Sequence, residues 1–426
     1  MKPYDAMSKD EIAKEKDALS TAFAAHKAKG LSLNMARGKP GSDQIALSMP
    51  MLDIIDSSSN CKAEDGADCR NYGELTGIVD AKKLFGEYME VATDEIIVAG
   101  STSLTFMYDC MARAMLSGVL GSSRPWIKEE KVKFLCPVPG YDRHFSICQF
   151  LGIEMINVPT SSEGPDMDMI EKLVSSDPLI KGMWCVPKYS NPLGITYSEK
   201  IMRRLAALKP AANDFRIFCD NAYAMHEVYR DVPLLNPLAA FKEAGNANMV
   251  YVFGSTNKIT FPGSGVAFFA ASKENIAFTT KQLSMQAISW DKLNMLRHVR
   301  FLKDVNGIRA HMQKHAAIMR PKFDAVLQKM DAELTGMGAG EWIKPDGGYF
   351  ITFFARHGCA KRIISLCKEA GVTMTDAGAP YPYGKDPDDS CIRIAPTFPS
   401  LAELIAAMEV FCTAVKLATV EKMLSA

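Results

Sequence analysis

Seven short apolar runs mark the first two-thirds of the chain: Ile96–Ala99, Val132–Cys136, Glu154–Val158, Gly182–Val186, Arg216–Cys219, Met249–Phe253 and Val266–Ala270. Runs this short and this continuously apolar predict strands buried on both faces. Most are separated by stretches with apolar positions at helical spacing, such as Glu199–Leu208. The alternation predicts an α/β chain: a large domain with a mostly parallel seven-stranded sheet, covered by helices on both sides. After about Ser284 the pattern changes. A long helical stretch, His298–Met330, leads to short strands at Tyr349–Phe354, Val372–Thr375 and Ile392–Ile394, then to a closing helix, Leu401–Leu424, with a wide apolar face. This predicts a small C-terminal α/β domain. We expect residues 1–45 to join that small domain, 46–295 to form the large one and 296–426 the small one.

Several predicted strands end in polar residues, and open α/β sheets bind ligands outside the carboxyl ends of their strands. Lys258 follows the run Met249–Phe253 and the small polar turn Gly254-Ser255-Thr256. A lysine in such a low-dielectric wall loses proton affinity, and its amine becomes a nucleophile able to form a Schiff base with a carbonyl. Arg216–Cys219 ends in Asp220, with Tyr223 three residues on; Gly182–Val186 leads to Asn191-Pro192-Leu193-Gly194; Arg393 lies within the last short strand. Upstream, a strand runs into Gly100-Ser101-Thr102-Ser103 and then a helix, an arrangement whose backbone N–H groups and hydroxyls suit an anion.

The chain has 426 residues, 48% hydrophobic and 23% charged, which suffices for one large and one smaller domain. Forty-nine basic residues balance 49 acidic ones, so nothing points to nucleic acid or an anionic membrane. Eleven cysteines include no CxxC pair and no metal-ligand spacing. We expect a reducing, cytoplasmic setting and no metal. The start of the chain reads as a charged helix without a signal peptide, and no apolar run reaches membrane-spanning length.

Taken in order, Asn191, Asp220, Tyr223, Lys258 and Arg393 resemble the active-site set of fold-type-I aminotransferases dependent on pyridoxal 5'-phosphate (PLP). The resemblance runs from about Leu31 to the end of the chain. It implies Lys258 as the Schiff-base lysine and Asp220 as partner of the cofactor's pyridine nitrogen. It also implies Asn191 and Tyr223 as donors to the ring oxygen and Arg393 as the fork for a substrate α-carboxylate. Gly100, Ser101, Thr102 and Ser255 would hold the phosphate, and Tyr141 would stack on the ring. Gly38, in Arg37-Gly38-Lys39-Pro40, would line the substrate mouth. Tyr72 would reach the phosphate of a second copy in a homodimer.

Many members of the family carry an arginine soon after the lysine, whereas Ile259–Val266 hold no Arg or Lys. With Arg37-Gly38-Lys39-Pro40, Lys258-Ile-Thr-Phe-Pro-Gly-Ser-Gly and Leu296-Arg-His-Val-Arg-Phe, the chain resembles aspartate aminotransferase subgroup Ic, grouped with the aminotransferase-like half of MocR regulators. The resemblance implies ping-pong transamination between L-aspartate and 2-oxoglutarate. Arg297 is the first candidate for the substrate's second carboxylate, with Arg300 beside it, either one within its own chain or reaching across a dimer; Arg37 and Lys39 are others. An aromatic or broad-range aminotransferase, a PLP β-lyase and an amino-acid-sensing module of a MocR-type regulator are the alternatives.

Overall fold

A computed structural model describes residues 2–425. Its main sheet contains β1 (Ile96–Val98), β2 (Lys133–Val138), β3 (Glu154–Ser161), β4 (Gly164–Pro165), β5 (Ile180–Cys185), β6 (Arg216–Asp220), β7 (Val250–Ser255) and β8 (Ala267–Ala270). The spatial order is β1-β8-β7-β6-β5-β2-β3-β4. The pairs β2/β3, β2/β5, β5/β6 and β6/β7 are parallel, while β8 runs antiparallel to both neighbours. The expected seven strands are present, but the sheet has an eighth. β4 pairs antiparallel with the end of β3 through Thr160–Pro165 and Ser161–Gly164. Two residues carry no period, so it left no mark in the apolar pattern.

β2, β5 and β6 are buried almost throughout, as strands covered on both faces must be. One apolar layer packs Phe134, Trp184, Phe218 and Phe253 against helix α1 (Ser103–Ser117), and the other packs Leu135, Met183 and Ile217 on the opposite face. A third cluster joins Ile12, Leu19 and Phe23 of the N-terminal helix to Phe353, Ile363 and the closing helix Leu401–Ser425. It is built around a three-stranded antiparallel sheet of Gly340–Trp342, Ile351–Ala355 and Cys391–Ile394. No helix of the described residues is long and apolar enough to cross a membrane.

One predicted helix is two. The stretch expected as His298–Met330 breaks at Lys303 (φ 67°), separating Lys292–Leu302 from Val305–Leu334. Asp304 caps the second helix by accepting from the Gly307 N–H at 2.7 Å. Apolar spacing continues across the break, so periodicity alone could not reveal it; the cap is the local cause.

Candidate active site

The carboxyl ends of β5, β6 and β7 open onto a cavity of about 310 Å³. Its walls include Lys258, Asp220, Tyr223, Asn191, Tyr141, Gly38 and Arg393, which come from segments spread over more than 350 residues. Three successive parallel strands supply one side of this wall: the loop after β5 carries Asn191, β6 ends at Asp220, and the turn after β7 carries Lys258.

Lys258 sits in a tight turn in which the Ile259 and Thr260 N–H groups both donate to the Thr256 carbonyl, at 2.9 and 2.8 Å. Its Nζ lies 4.8 Å from the centre of the Tyr223 ring. Burial pushes the amine below the usual lysine range, and the Asp220 charge opposes part of that shift. Tyr223 is itself buried, and its phenol is driven well above 10 by desolvation. Tyr141 is pushed up to about 12 by the same cause. Both phenols therefore keep their protons at neutral pH and can act as donors.

Asp220 is 4% exposed, and its Oδ2 lies 3.2 Å from Nε2 of His144. Its Oδ1 is buried without any hydrogen-bond partner. A bare carboxylate oxygen in a dry wall is costly, and a protonated ring nitrogen would satisfy it. The residues present fit PLP in other respects too: a deprotonation-prone amine, two protonated phenols and the Asn191 amide all face one cavity of suitable size.

Arg393 lies on the strand Cys391–Ile394 and is 6% exposed. Its Nη1 donates to Asn191 Oδ1 at 3.1 Å and to Asp142 Oδ1 at 2.8 Å, and its guanidinium lies over the Phe350 ring at 4.9 Å. Gly38 packs so closely on Phe350 that an added Cβ would stand 2.3 Å from its ring, so only glycine fits here without displacing that wall.

The expected phosphate segment is not part of this cavity's lining. Thr102 caps α1, accepting from the Thr105 N–H at 3.1 Å; before it Gly100 adopts φ 68°, and Gly100 and Ser101 are exposed while Thr102 and Ser103 are half-buried. A Cβ on Gly265 would lie 2.8 Å from the Ser101 carbonyl, so the loop after Lys258 runs directly against this helix start. Ser255 ends β7 and is half-buried.

Two expected residues lie elsewhere. Tyr72 is 77% exposed, its carbonyl accepting from Lys292 Nζ at 3.1 Å. Arg297 donates to Asn294 Oδ1 at 3.0 Å and does not line its own chain's cavity. The expectation that it holds a substrate carboxylate is therefore not met within one chain: it lies on the helix Lys292–Leu302, whose Asn294 side chain reaches the carbonyls of Ser264 and Gly265.

Sequence reasoning missed His144, Asp142, Arg143 and Phe350. His144 stacks on Trp184 with ring centres 4.3 Å apart and planes 8° apart, held to face Asp220. It lies three residues after Tyr141 on the helix Asp142–Phe150, so helical spacing placed both on one face and was the available signal. Four further histidines surround the lysine turn. His226 lies 3.3 Å from the Lys258 carbonyl, His311 2.9 Å from the Ile259 carbonyl, and His298 3.0 and 2.9 Å from the hydroxyls of Thr256 and Thr260. His315 packs against His311 with its Nδ1 accepting from the Gln44 amide at 3.1 Å.

Comparisons with known proteins agree with this geometry. The aspartate amino-transferase family profile matches residues 7–426. An aspartate aminotransferase of Corynebacterium glutamicum is 43% identical over 396 residues, covering 93% of this chain and 91% of that protein. The crystal structure of an aspartate transaminase from Corynebacterium glutamicum superposes with a TM-score of 0.95 at 41% identity, covering 98% of each chain. A more distant likeness of fold, at 20% identity and a TM-score of 0.72 over 94% of this chain and 95% of the other, is to an α-aminoadipate aminotransferase of Thermus thermophilus complexed with N-(5'-phosphopyridoxyl)-L-leucine. By sequence and by fold this chain belongs to the aspartate amino-transferase family, the PLP-dependent aminotransferases of fold type I.

Proposed function

We propose that this aminotransferase moves the amino group of L-aspartate to 2-oxoglutarate, giving oxaloacetate and L-glutamate by a ping-pong cycle. One observation carries the substrate reading. Besides Lys258 and Arg393, the cavity is lined by Arg37, Lys39 and Arg143, against only Asp142 and Asp220. A site with that surplus of positive charge suits a substrate carrying two carboxylates. The 43% identity to a protein named aspartate aminotransferase supports the same choice.

PLP, when bound, supplies an electron-accepting ring that takes up the charge left as the substrate Cα proton departs. In this reading Lys258 holds the cofactor, yields to the incoming amino group, and then uses its neutral amine to carry the Cα proton. Asp220 presents its unpartnered Oδ1 to the ring N–H while His144 fixes its other oxygen. Asn191 and Tyr223 donate to the ring oxygen, and Tyr141 covers the ring. Gly100, Ser101, Thr102 and Ser255 present N–H groups and hydroxyls to the phosphate. Arg393 holds the α-carboxylate. Two copies form the working unit, with Tyr72 serving the partner's phosphate; its exposure and its absence from the lining of its own cavity support that role.

The test is a panel of amino donors with 2-oxoglutarate, monitoring amino-acid and keto-acid products together. Aspartate should exceed alanine and phenylalanine in kcat/KM by at least roughly tenfold. Phenylalanine equal to aspartate would remove the substrate reading and leave the aminotransferase.

A further inference from the structure

The guanidinium read as the α-carboxylate fork already holds a carboxylate. Arg393 Nη1 donates to Asp142 Oδ1 at 2.8 Å, and its remaining Nη1 bond goes to Asn191. Nη2 reaches only the Thr375 hydroxyl, at 3.5 Å. An end-on fork needs one N–H from each terminal nitrogen, and Asp142 occupies one of those two positions. The two partners differ in their surroundings. The Arg393 side chain is 7% exposed and fixed by a strand, whereas that of Asp142 is 31% exposed and begins the helix Asp142–Phe150. An aspartate in a first helical turn is stabilised there by the helix itself, so its carboxylate can turn toward solvent without being stranded. Arg393 has no such option, because a buried cation without an anion is strongly disfavoured.

We propose that Asp142 is a displaceable stand-in for the substrate's α-carboxylate, exchanged for it at each binding event. The exchange trades one carboxylate for another, so Arg393 keeps an anion throughout the cycle. It also sets specificity. A ligand with a free α-carboxylate can replace Asp142, while an amino-acid amide or simple amine offers nothing that Arg393 would accept in its place. Apparent affinity for every carboxylate ligand is lowered by the fraction of time Asp142 is engaged. The proposal rests on the reading of Arg393 as the α-carboxylate anchor.

The experiment measures binding of maleate to the PLP-loaded enzyme by calorimetry. Maleate carries carboxylates but no amino or keto group, so it cannot turn over. Asp142→Asn should tighten maleate roughly tenfold, the factor expected if Asp142 is engaged about nine-tenths of the time. KM for amino acid and keto acid should fall together with kcat nearly unchanged. Asp142→Ser, with its melting temperature measured beside that of Asp142→Asn, guards against misfolding and should show the same tightening. Weaker or unchanged maleate binding in a folded variant would overturn the proposal, since it would make Asp142 a fixed support that orients Arg393. Arg393→Ala separates the two levels. If it leaves maleate binding intact, the anchor reading fails; if it abolishes binding while Asp142→Asn does not strengthen it, only the exchange fails.

Discussion

His144 and Asp220 face each other at 3.2 Å with both side chains almost fully buried, and the opposite oxygen of Asp220 has no partner. Trp184 stacks on the imidazole, so the ring cannot turn away and the carboxylate is held with one oxygen aimed into the cavity. Asp220→Ala removes that oxygen. The loss of one buried charge-assisted contact, about 3 kcal/mol, should lower kcat by on the order of 10²-fold and release PLP more readily on dialysis. His144→Phe keeps the stacking but frees Asp220, and should give a smaller loss. An Asp220→Ala enzyme with wild-type kcat and full cofactor content would sink the assignment.

Lys258→Ala should abolish turnover and the visible absorbance of lysine-bound cofactor while the protein stays folded. Burial lowers the amine's pKa in the fold, so the folded chain binds this proton less readily than the unfolded one. With the cofactor removed from both, the alanine variant should therefore match or exceed the wild type in melting temperature below the ordinary lysine pKa, where the buried amine is a cost. A melting temperature many degrees lower would show that Lys258 has a structural part the cavity does not reveal.

The main sheet was legible because its strands are buried on both faces and read as unbroken apolar runs. β4 was not, since a two-residue strand has no period, and the break at Lys303 was hidden by apolar spacing on both sides of it. In the site, Lys258, Asp220, Tyr223, Asn191 and Arg393 were legible as polar residues in or after apolar strands, and all reach one cavity. Asp142, Arg143 and His144 lie in an ordinary-looking amphipathic helix, where polar residues are expected whatever they do. Their meaning comes from the strands opposite, which the local pattern does not contain. Arg297 illustrates the converse: an arginine in a distinctive motif that its own chain does not bring to the cavity.

The histidines around the lysine turn predict a pH response. Burial lowers His226 well below its usual value, His298 and His315 to about 4, and His311 in the same direction. All four are neutral at pH 7. As pH falls below about 6.5, the unfolded chain takes up protons that the fold refuses, so stability present above that pH is lost progressively toward 4. Each histidine can contribute up to about 1.4 kcal/mol per pH unit in that window. Melting temperature should drop steeply between pH 6.5 and 5, and the double variant His298→Gln/His315→Gln should flatten the slope. An unchanged slope would place the acid sensitivity elsewhere.

Assembly can be tested by complementation. If Tyr72 serves the partner's site, a dimer of one Lys258→Ala chain and one Tyr72→Ala chain contains one intact site. Mixing the inactive Lys258→Ala chain with the impaired Tyr72→Ala chain in equal amounts, under conditions that exchange subunits, should restore about a quarter of wild-type activity, as random pairing requires. No recovery, with exchange verified by mass, would put Tyr72 outside the partner's site.

Which cation holds the substrate's second carboxylate decides the aspartate assignment. Lys39 lies over the Phe398 ring, 3.9 Å from its centre, and Arg393 is engaged by Asp142 and Asn191. Arg37 and Arg143 are exposed residues that line the cavity, which makes them the candidates within one chain. Arg297 is the candidate from a partner, and its Nε is buried without an acceptor. Removing the cation that pairs with the second carboxylate should cost about 2–4 kcal/mol in kcat/KM for aspartate and glutamate, some 30- to 1000-fold, and little for alanine or phenylalanine. Arg393→Ala should instead hurt all four substrates alike, because each carries an α-carboxylate. Arg37→Ala, Arg143→Ala and Arg297→Ala, assayed against the same four, identify the selective residue directly. A selective loss in Arg37→Ala or Arg143→Ala would place recognition within one chain, and a selective loss in Arg297→Ala would place it across the dimer. Equal losses across all substrates in every one of the three, and in Lys39→Ala and Arg300→Ala assayed beside them, would leave no cation reading the side chain, and the preference for aspartate would have to be abandoned.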